Sequence, residues 1–236
     1  NGDHNNMTKY CTDENLGKLD NKIQLELEDD AAYVNWGGDW RMPTKEQIQE
    51  LLDECTYERA TQKGVCGILI TSKTNGNSIF LPAAGCRSGS SLDGVEKDGF
   101  YWSSTPDDSN YYDCLLIFSS SYHDVDMIPC YSGLSVRPVL ENKNESNRVN
   151  GYEYVDLGLP SGLKWATCNV GADSPEEYGN YYAWGETEPK DYYWDTTYKF
   201  YDGINGSWYR YDKYTWSVEH HGTIDGKFFL EPEDDA

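Results

Sequence analysis

The sequence predicts an α+β fold built of short twisted antiparallel sheets with few helices. Three observations predict it: one sharply bounded amphipathic segment, several short runs of alternating apolar and polar residues, and turn residues set closely between them. The helix is expected over Thr44 to Cys55. There Thr44-Lys45-Glu46-Gln47 has the form of a capping box behind Pro43, and Ile48, Leu51, Leu52 and Cys55 recur on one face. A hairpin follows, with strands at Val65 to Thr71 and Ser78 to Leu81 and a tight turn at Asn75-Gly76, a pair suited to positive φ. Alternation of Cys114, Leu116 and Phe118 with Asp113, Leu115, Ile117 and Ser119 predicts another strand, as does Val125 between Asp124 and Asp126. Further on, "YEYVDLGLPSGLKWATCNVG" reads as strand, Gly/Pro turn, strand. "SPEEYGNYYAWGE" reads as a short helix capped by Ser174, with Pro175 first and Glu176 and Glu177 at its positive end.

The chain also repeats itself. "LEPEDDA" at Leu230 to Ala236 nearly copies "LELEDDA" at Leu25 to Ala31, Gly222 to Lys227 matches Gly17 to Lys22, and after one slip Asp212-Lys213-Tyr214 matches Thr8-Lys9-Tyr10. Residues 1–31 therefore duplicate 206–236, with a period of about 205. Residues 140–153 are polar and without apolar periodicity, which marks a linker between "GLSVRPVL" and "YVDLGLPSG". The expected body joins residues 32–139, as the C-terminal part of one unit, to 154–236, as its N-terminal part. The unit is thus circularly shifted or cut from a tandem repeat.

Charge and composition exclude several partners. Forty-one acidic against 19 basic residues give a formal charge of −22, a field that repels phosphate backbones and anionic membranes. Nucleic acid is excluded as a partner, and with no apolar run of about 18 residues no direct membrane insertion is expected. The chain carries 20 Tyr and 8 Trp, a composition suited to contact surfaces. Its seven cysteines form no C-x-x-C pattern and have no histidine at zinc-ligand spacing, which argues against structural zinc.

At "GGDWRMPTKEQIQELL", "NGNSIFLPAAG", "GFYWSSTP", "GLSVRPV" and "YVDLGLPSGLKWATCNVGA" the chain resembles the major paralogous domain family (FISUMP) of Bacteroidota surface proteins. That resemblance implies a C-type-lectin-like fold, a binding role in adhesion or recognition, and an extracellular site on a bacterial cell or a phage virion. It also implies that Trp36, Trp40, Trp102, Trp165 and Trp184, which stand in the shared motifs, pack in or near the core. The chain is further similar to lectin-fold proteins of gut Bacteroidota and their phages that are diversified by adenine-mutating retroelements, in a stretch closing near Gly-x-x-x-Arg, here Gly133 to Arg137. Within "DDSNYYDCLLIFSSSYHDVDMIPCYSG" the outward alternates are then Asp113, Ile117, Ser119, Tyr122, Asp124, Asp126, Cys130, Tyr131 and Ser132, over a fixed core of Leu116, Phe118 and Val125. Those nine are the expected ligand-binding residues. Arg41 and Arg137, flanked by apolar residues, are expected to pair with buried carboxylates. Trp194, Trp208 and Trp216, with Tyr192, Tyr193, Tyr198, Tyr201, Tyr209, Tyr211 and Tyr214, form a second expected contact surface.

Chemical readings fare less well. Calcium-dependent sugar binding needs six to eight clustered oxygens, and the signals Glu-Pro-Asn and Trp-Asn-Asp are replaced here by Glu188-Pro189-Lys190, Glu231-Pro232-Glu233 and Asn35-Trp36. Carboxylates such as Glu176 and Glu177, or Glu186 and Glu188, are too close in sequence to flank a glycosidic bond. His4, His123, His220 and His221 make no nucleophile–base arrangement. The expected function is therefore non-enzymatic: a cell-surface recognition domain for a glycan or protein ligand, without a cofactor. The alternative is an assembly subunit, a fimbrial tip or filament repeat that self-associates by docking its duplicated end on a neighbour.

Overall fold

The computed structural model describes residues 7–12, 14, 17–106, 112–120, 122–141 and 148–200. The second copy of the repeat, with His220, His221, Trp208, Trp216 and Tyr201, Tyr209, Tyr211 and Tyr214, lies outside these residues. The described part is mostly antiparallel sheet with two helices, α1 (Ala31–Trp36) and α2 (Lys45–Glu54).

Each helix is set by a cap. Asp30 Oδ1 accepts from the backbone of Ala32 and Tyr33 at the start of α1, while its Oδ2 accepts from Met42 N at 2.8 Å. Thr44 and Gln47 form the expected capping box of α2, and Ile48 and Leu51 are buried on its inner face. The helix ends at its C-cap Cys55, as expected, and the chain turns there into β1 (Cys55–Gln62), which pairs with β2 (Val65–Ser72) through Lys63 and Gly64, both at positive φ. β3 (Ser78–Pro82) completes this sheet on the other side of β2. The Asn75-Gly76 pair lies in a longer loop, not in a two-residue turn. There the side-chain amides of Asn75 and Asn77 donate to Asp156 O at 2.9 and 2.8 Å, so the loop serves as a tertiary contact.

A short ribbon, β4 (Cys86–Ser88) and β5 (Ser91–Asp93), precedes the sheet of β6 (Gly99–Pro106), β7 (Tyr112–Phe118) and β8 (His123–Pro129). The last sheet joins β9 (Val139–Leu140), β10 (Arg148–Val149), β11 (Tyr152–Asp156) and β12 (Lys164–Ala166) in the order β10-β11-β12-β9. Trp165 pairs with Val155 on one side and Val139 on the other, so the strands flanking residues 140–153 lie in one sheet. Part of that stretch is itself ordered. β10 and β11 form a hairpin through Asn150 and Gly151, both at positive φ, and Val149 O accepts from Trp40 Nε1. The expected short helix at Ser174 is only a turn, closed by Glu177 N on Ser174 O.

Two buried clusters fill the interior. One gathers Trp36, Trp40, Trp102, Leu115, Leu134, Tyr182, Trp184 and Phe200; the other gathers Ile48, Leu51, Ile70, Leu81, Leu116, Phe118, Leu157 and Trp165. Trp36, Trp40, Trp102, Trp165 and Trp184, expected in or near the core, are all buried. Arg137 is buried too, but its expected carboxylate partner is replaced by neutral oxygens: Nε donates to Asn169 Oδ1 at 2.8 Å and Nη1 to Ala166 O and Thr167 O at 3.0 and 2.8 Å. Arg41 is half-buried, donating to Gln47 Oε1 at 2.8 Å with Glu141 at 3.6 Å. The planar guanidinium serves three acceptors at once, and an ammonium cannot match that fork. Arg137→Lys is therefore expected to cost about 3 kcal/mol, read as a lowered urea midpoint with an unchanged slope.

The first copy of the repeat is docked. Tyr10 packs edge-on to Trp184 and Phe200 at 5.0 and 5.3 Å, Leu25 is buried, and Thr8 N donates to Phe200 O at 3.0 Å. Asp29 is almost fully buried and receives Lys9 Nζ at 2.5 Å, Lys199 Nζ at 2.5 Å and Tyr10 Oη at 2.6 Å. Burial alone would push the Asp29 carboxyl up, but the hydrogen bonds from Lys199, Lys9 and Tyr10 hold it below the usual carboxylate range. A carboxyl with a depressed folded pKa stabilises the fold above its unfolded pKa of about 3.9 and loses that contribution as pH falls through the folded value. Stability measured from pH 6 down to pH 2 should fall more steeply for the native chain than for Asp29→Asn, which should start lower and lack that component.

Candidate functional site

The sheet β6-β7-β8 carries most of the expected ligand face, and its surroundings divide that set. β7 lies between the two clusters: Leu116 and Phe118 point into one and Leu115 into the other, with Ile117 half-buried against the same side as Leu115. The strand has no free face at this point. Asp113, expected outward, is 4 % exposed, and Cys130 and Ser132, beyond the end of β8, are buried at 1 % and 5 %. Their outward placement is thus corrected: the simple alternation assumed one solvated face, and here both are covered. Ser119 is half-buried where its N–H donates to Tyr122 O at 2.7 Å, at the β7–β8 connection. Tyr122, Asp124 and Asp126 are exposed, and Asp124 and Asp126 face Ile117 and Leu115 across the pair. Desolvation, with Asp124 and Asp126 nearby, pushes the Tyr122 phenol up.

Tyr131 belongs to a second exposed region, built from four distant segments. Arg87 and Gly133 exchange backbone hydrogen bonds at 2.8 and 2.9 Å, Gly89 and Tyr193 do so at 2.7 and 2.8 Å, and Leu134 and Tyr182 at 2.9 Å each way. These bridges hold the segment after β8 and the loop around Tyr193 against β4. Tyr193, expected at a contact surface, is buried: its hydroxyl donates to Tyr181 O at 2.5 Å and accepts from Lys190 N at 3.1 Å. Tyr198 is likewise buried and donates to Trp184 O. Their rings are floor, while Tyr192 is 45 % exposed and Trp194, half-buried, meets Tyr131 at 5.6 Å.

Beside this rim lies an open groove of about 280 Å3 lined by Arg87, Asn180, Tyr181, Lys190, Asp191 and Tyr193. The Arg87 guanidinium stands 5.0 Å over the Tyr181 ring, and Lys190 Nζ lies 5.5 Å from the Tyr193 ring while pairing with Glu186 at 2.7 Å. Burial pushes the Tyr181 hydroxyl up to about 12, and it donates to Ala84 O at 2.6 Å. The groove thus combines two cations, one of them paired with Glu186, with an amide, a carboxylate and fixed aromatic walls, a set that can bind polar rings and acidic groups.

Burial pushes the thiols of Cys55 and Cys86 up to about 11, away from the nucleophilic thiolate. Glu176 pairs with Lys63 at 3.2 Å, and Glu186 with Lys190. Among the described residues no group of three or more His, Cys, Asp or Glu is placed to hold a metal ion, and no helix is long and apolar enough to cross a membrane. No family model, curated relative or solved structure matches the chain.

Sequence reasoning missed Arg87, Asn180, Lys190 and Asp191. The only local signal was that Lys190 and Asp191 adjoin the aromatic run Tyr192-Tyr193-Trp194. Gly133 supplies a test of the assembly, because a Cβ built there would stand 2.6 Å from the Tyr193 ring. Gly133→Ala should displace that ring and lower stability by about 1–3 kcal/mol, seen as a lower melting temperature with altered near-ultraviolet aromatic signal.

Proposed function

We propose that the chain is a non-enzymatic recognition module with a C-type-lectin-like body, displayed at a bacterial cell or phage surface, and that it binds a glycan or protein ligand. The groove at Arg87 and its Tyr131, Tyr192 and Trp194 rim supply the principal contacts. The exposed tip of Tyr122, Asp124 and Asp126 is the part of the expected face left to a ligand. One observation carries this reading: a chain of net charge −22 fixes a cation, Arg87, over a tyrosine ring at the mouth of an open groove. Among the described residues no carboxylate forms an ion pair with Arg87, and its planar fork suits a ligand carboxylate. Asn180 and Asp191 add acceptors and donors for hydroxyls, and the exposed Tyr192 ring offers an apolar platform. This combination favours an acidic sugar within the glycan class.

A glycan and protein array probed with the intact chain, with and without a chelator, tests the proposal. Binding to carboxylate-bearing glycans should persist in chelator and weaken about tenfold in Arg87→Ala, while the fold, followed by circular dichroism, is unchanged. Ligand binding that is lost in chelator, or that is untouched by Arg87→Ala and Tyr192→Ala, would place the site elsewhere. Turnover of a bound ligand would overturn the non-enzymatic reading.

A further inference from the structure

The two copies of the repeat differ in a pattern that only the docked geometry makes readable. Between residues 17–31 and 222–236 the exchanges are Lys18 to Thr223, Leu19 to Ile224, Asn21 to Gly226, Ile23 to Phe228, Gln24 to Phe229 and Leu27 to Pro232. Every one of those six positions in the docked copy is exposed. Every position of that stretch that is buried or half-buried is identical in the second copy. Within residues 17–31 the buried and half-buried groups that hold the segment in place are therefore all present twice. Asp20, which accepts from Tyr10 N and Cys11 N, recurs as Asp225; Lys22 and Glu26, paired at 2.5 Å, recur as Lys227 and Glu231. The buried Leu25 and Asp29 recur as Leu230 and Asp234, and Lys9 and Tyr10 as Lys213 and Tyr214.

Backbone constraints agree. Gly17 sits at φ 154 with room for no Cβ, since one would meet Met7 O at 2.2 Å, and glycine recurs at 222. Asn21 sits at φ 53, and the second copy has glycine there, the residue best suited to a left-handed backbone. The match is weaker upstream, where buried Met7 and Cys11 correspond to Tyr211 and Thr215.

We infer that residues 213–236 are a second occupant of the seat that residues 9–31 fill, so that the two copies of one chain exchange in a single groove. The walls of the seat are Ser104, Trp184, Gly185, Lys199 and Phe200: Leu25 N donates to Ser104 O at 3.1 Å, and Lys199 reaches Asp29. The same chain is the source because of the tether. Thr8 N is bonded to Phe200 O, so the chain leaving Phe200 starts at the mouth of the seat, and Lys213 follows about a dozen residues later. A connection of that length spans up to about 40 Å and keeps the second copy at an effective concentration in the millimolar range. Seating one copy releases the other, giving the module an arm that leaves the body either ahead of Ala32 or beyond Phe200.

Thermal melting of the full chain with paired substitutions tests this. Leu230→Asp should leave the melting temperature unchanged, and Leu25→Asp should lower it by only a few degrees, because the second copy takes the seat. The double variant should fall by about 10 °C or more, beyond the sum of the singles. In Leu25→Asp, tryptic protection should pass from Lys9 and Lys22 to Lys213 and Lys227, with a monomer mass that does not change with concentration. The inference is overturned if Leu25→Asp alone melts as low as the double variant or fails to fold, if the two effects merely add, or if Leu230→Asp alone is destabilising. A dimer of Leu25→Asp would overturn the same-chain assignment and give the seat to a neighbouring copy. Glycan binding at the Arg87 groove plays no part in these readouts, so the two proposals fail separately.

Discussion

The pairing of Trp165 with Val139 and Val155 holds the molecule together. It brings the strand before residues 140–153 and the strands after them into one sheet, and Arg137 reinforces the join by reaching Ala166, Thr167 and Asn169 from the other side. Antiparallel neighbours need only a short connection, and the β10–β11 hairpin forms part of it. Without this closure the segment Tyr181 to Trp184 has no Leu134 to pair with, Trp102 loses the Tyr182 carbonyl its indole N–H donates to, and the groove at Arg87 loses its far wall.

Closure also explains why the exposed face is smaller than alternation suggests. β7 lies between two apolar clusters, both of which draw residues from the segment after residue 153, and Leu115 and Leu116 are both buried. A strand buried on both faces cannot present every second residue to a ligand. Exposure is then left to the ends: the Tyr122 connection, and the Tyr131 region where the chain leaves β8. Tyr131 meets Trp194 where the Tyr193 and Tyr192 rings lie close over Gly133 and Gly89.

Charge is distributed with the same economy. The net charge of −22 is a property of the whole surface, but several of the few cations stand at organised sites. Lys9 and Lys199 converge on the buried Asp29, and Arg87 and Lys190 stand over aromatic rings in the groove. Exposed acidic groups repel one another weakly through water. A buried carboxylate with three donors is worth more per charge, because its partners hold the ionised form. This is why Asp29 anchors the docked copy while its neighbour Glu28 stays exposed.

What the sequence determined by itself was local or self-referential. The Thr44 capping box, the inner face of Ile48 and Leu51 and the duplication of residues 1–31 were all legible, because caps, helix faces and repeats are written in residues a few positions apart or in plain identity. The end of α2 was legible as well, since Cys55, the last residue of the apolar spacing, is its buried C-cap, but its pairing with Ser72 as the first residue of β1 was not. Nor was the turn at Ser174, where Gly179 turns to positive φ and Tyr182 is drawn into pairing with Leu134. Tertiary structure alone decided which side of β7 is covered, which copy of the repeat is seated, and that Arg87 lies over Tyr181. Those contacts join residues remote in the chain, and no local preference encodes them; they exist because closing one sheet sets the distance between segments that never neighbour one another in sequence.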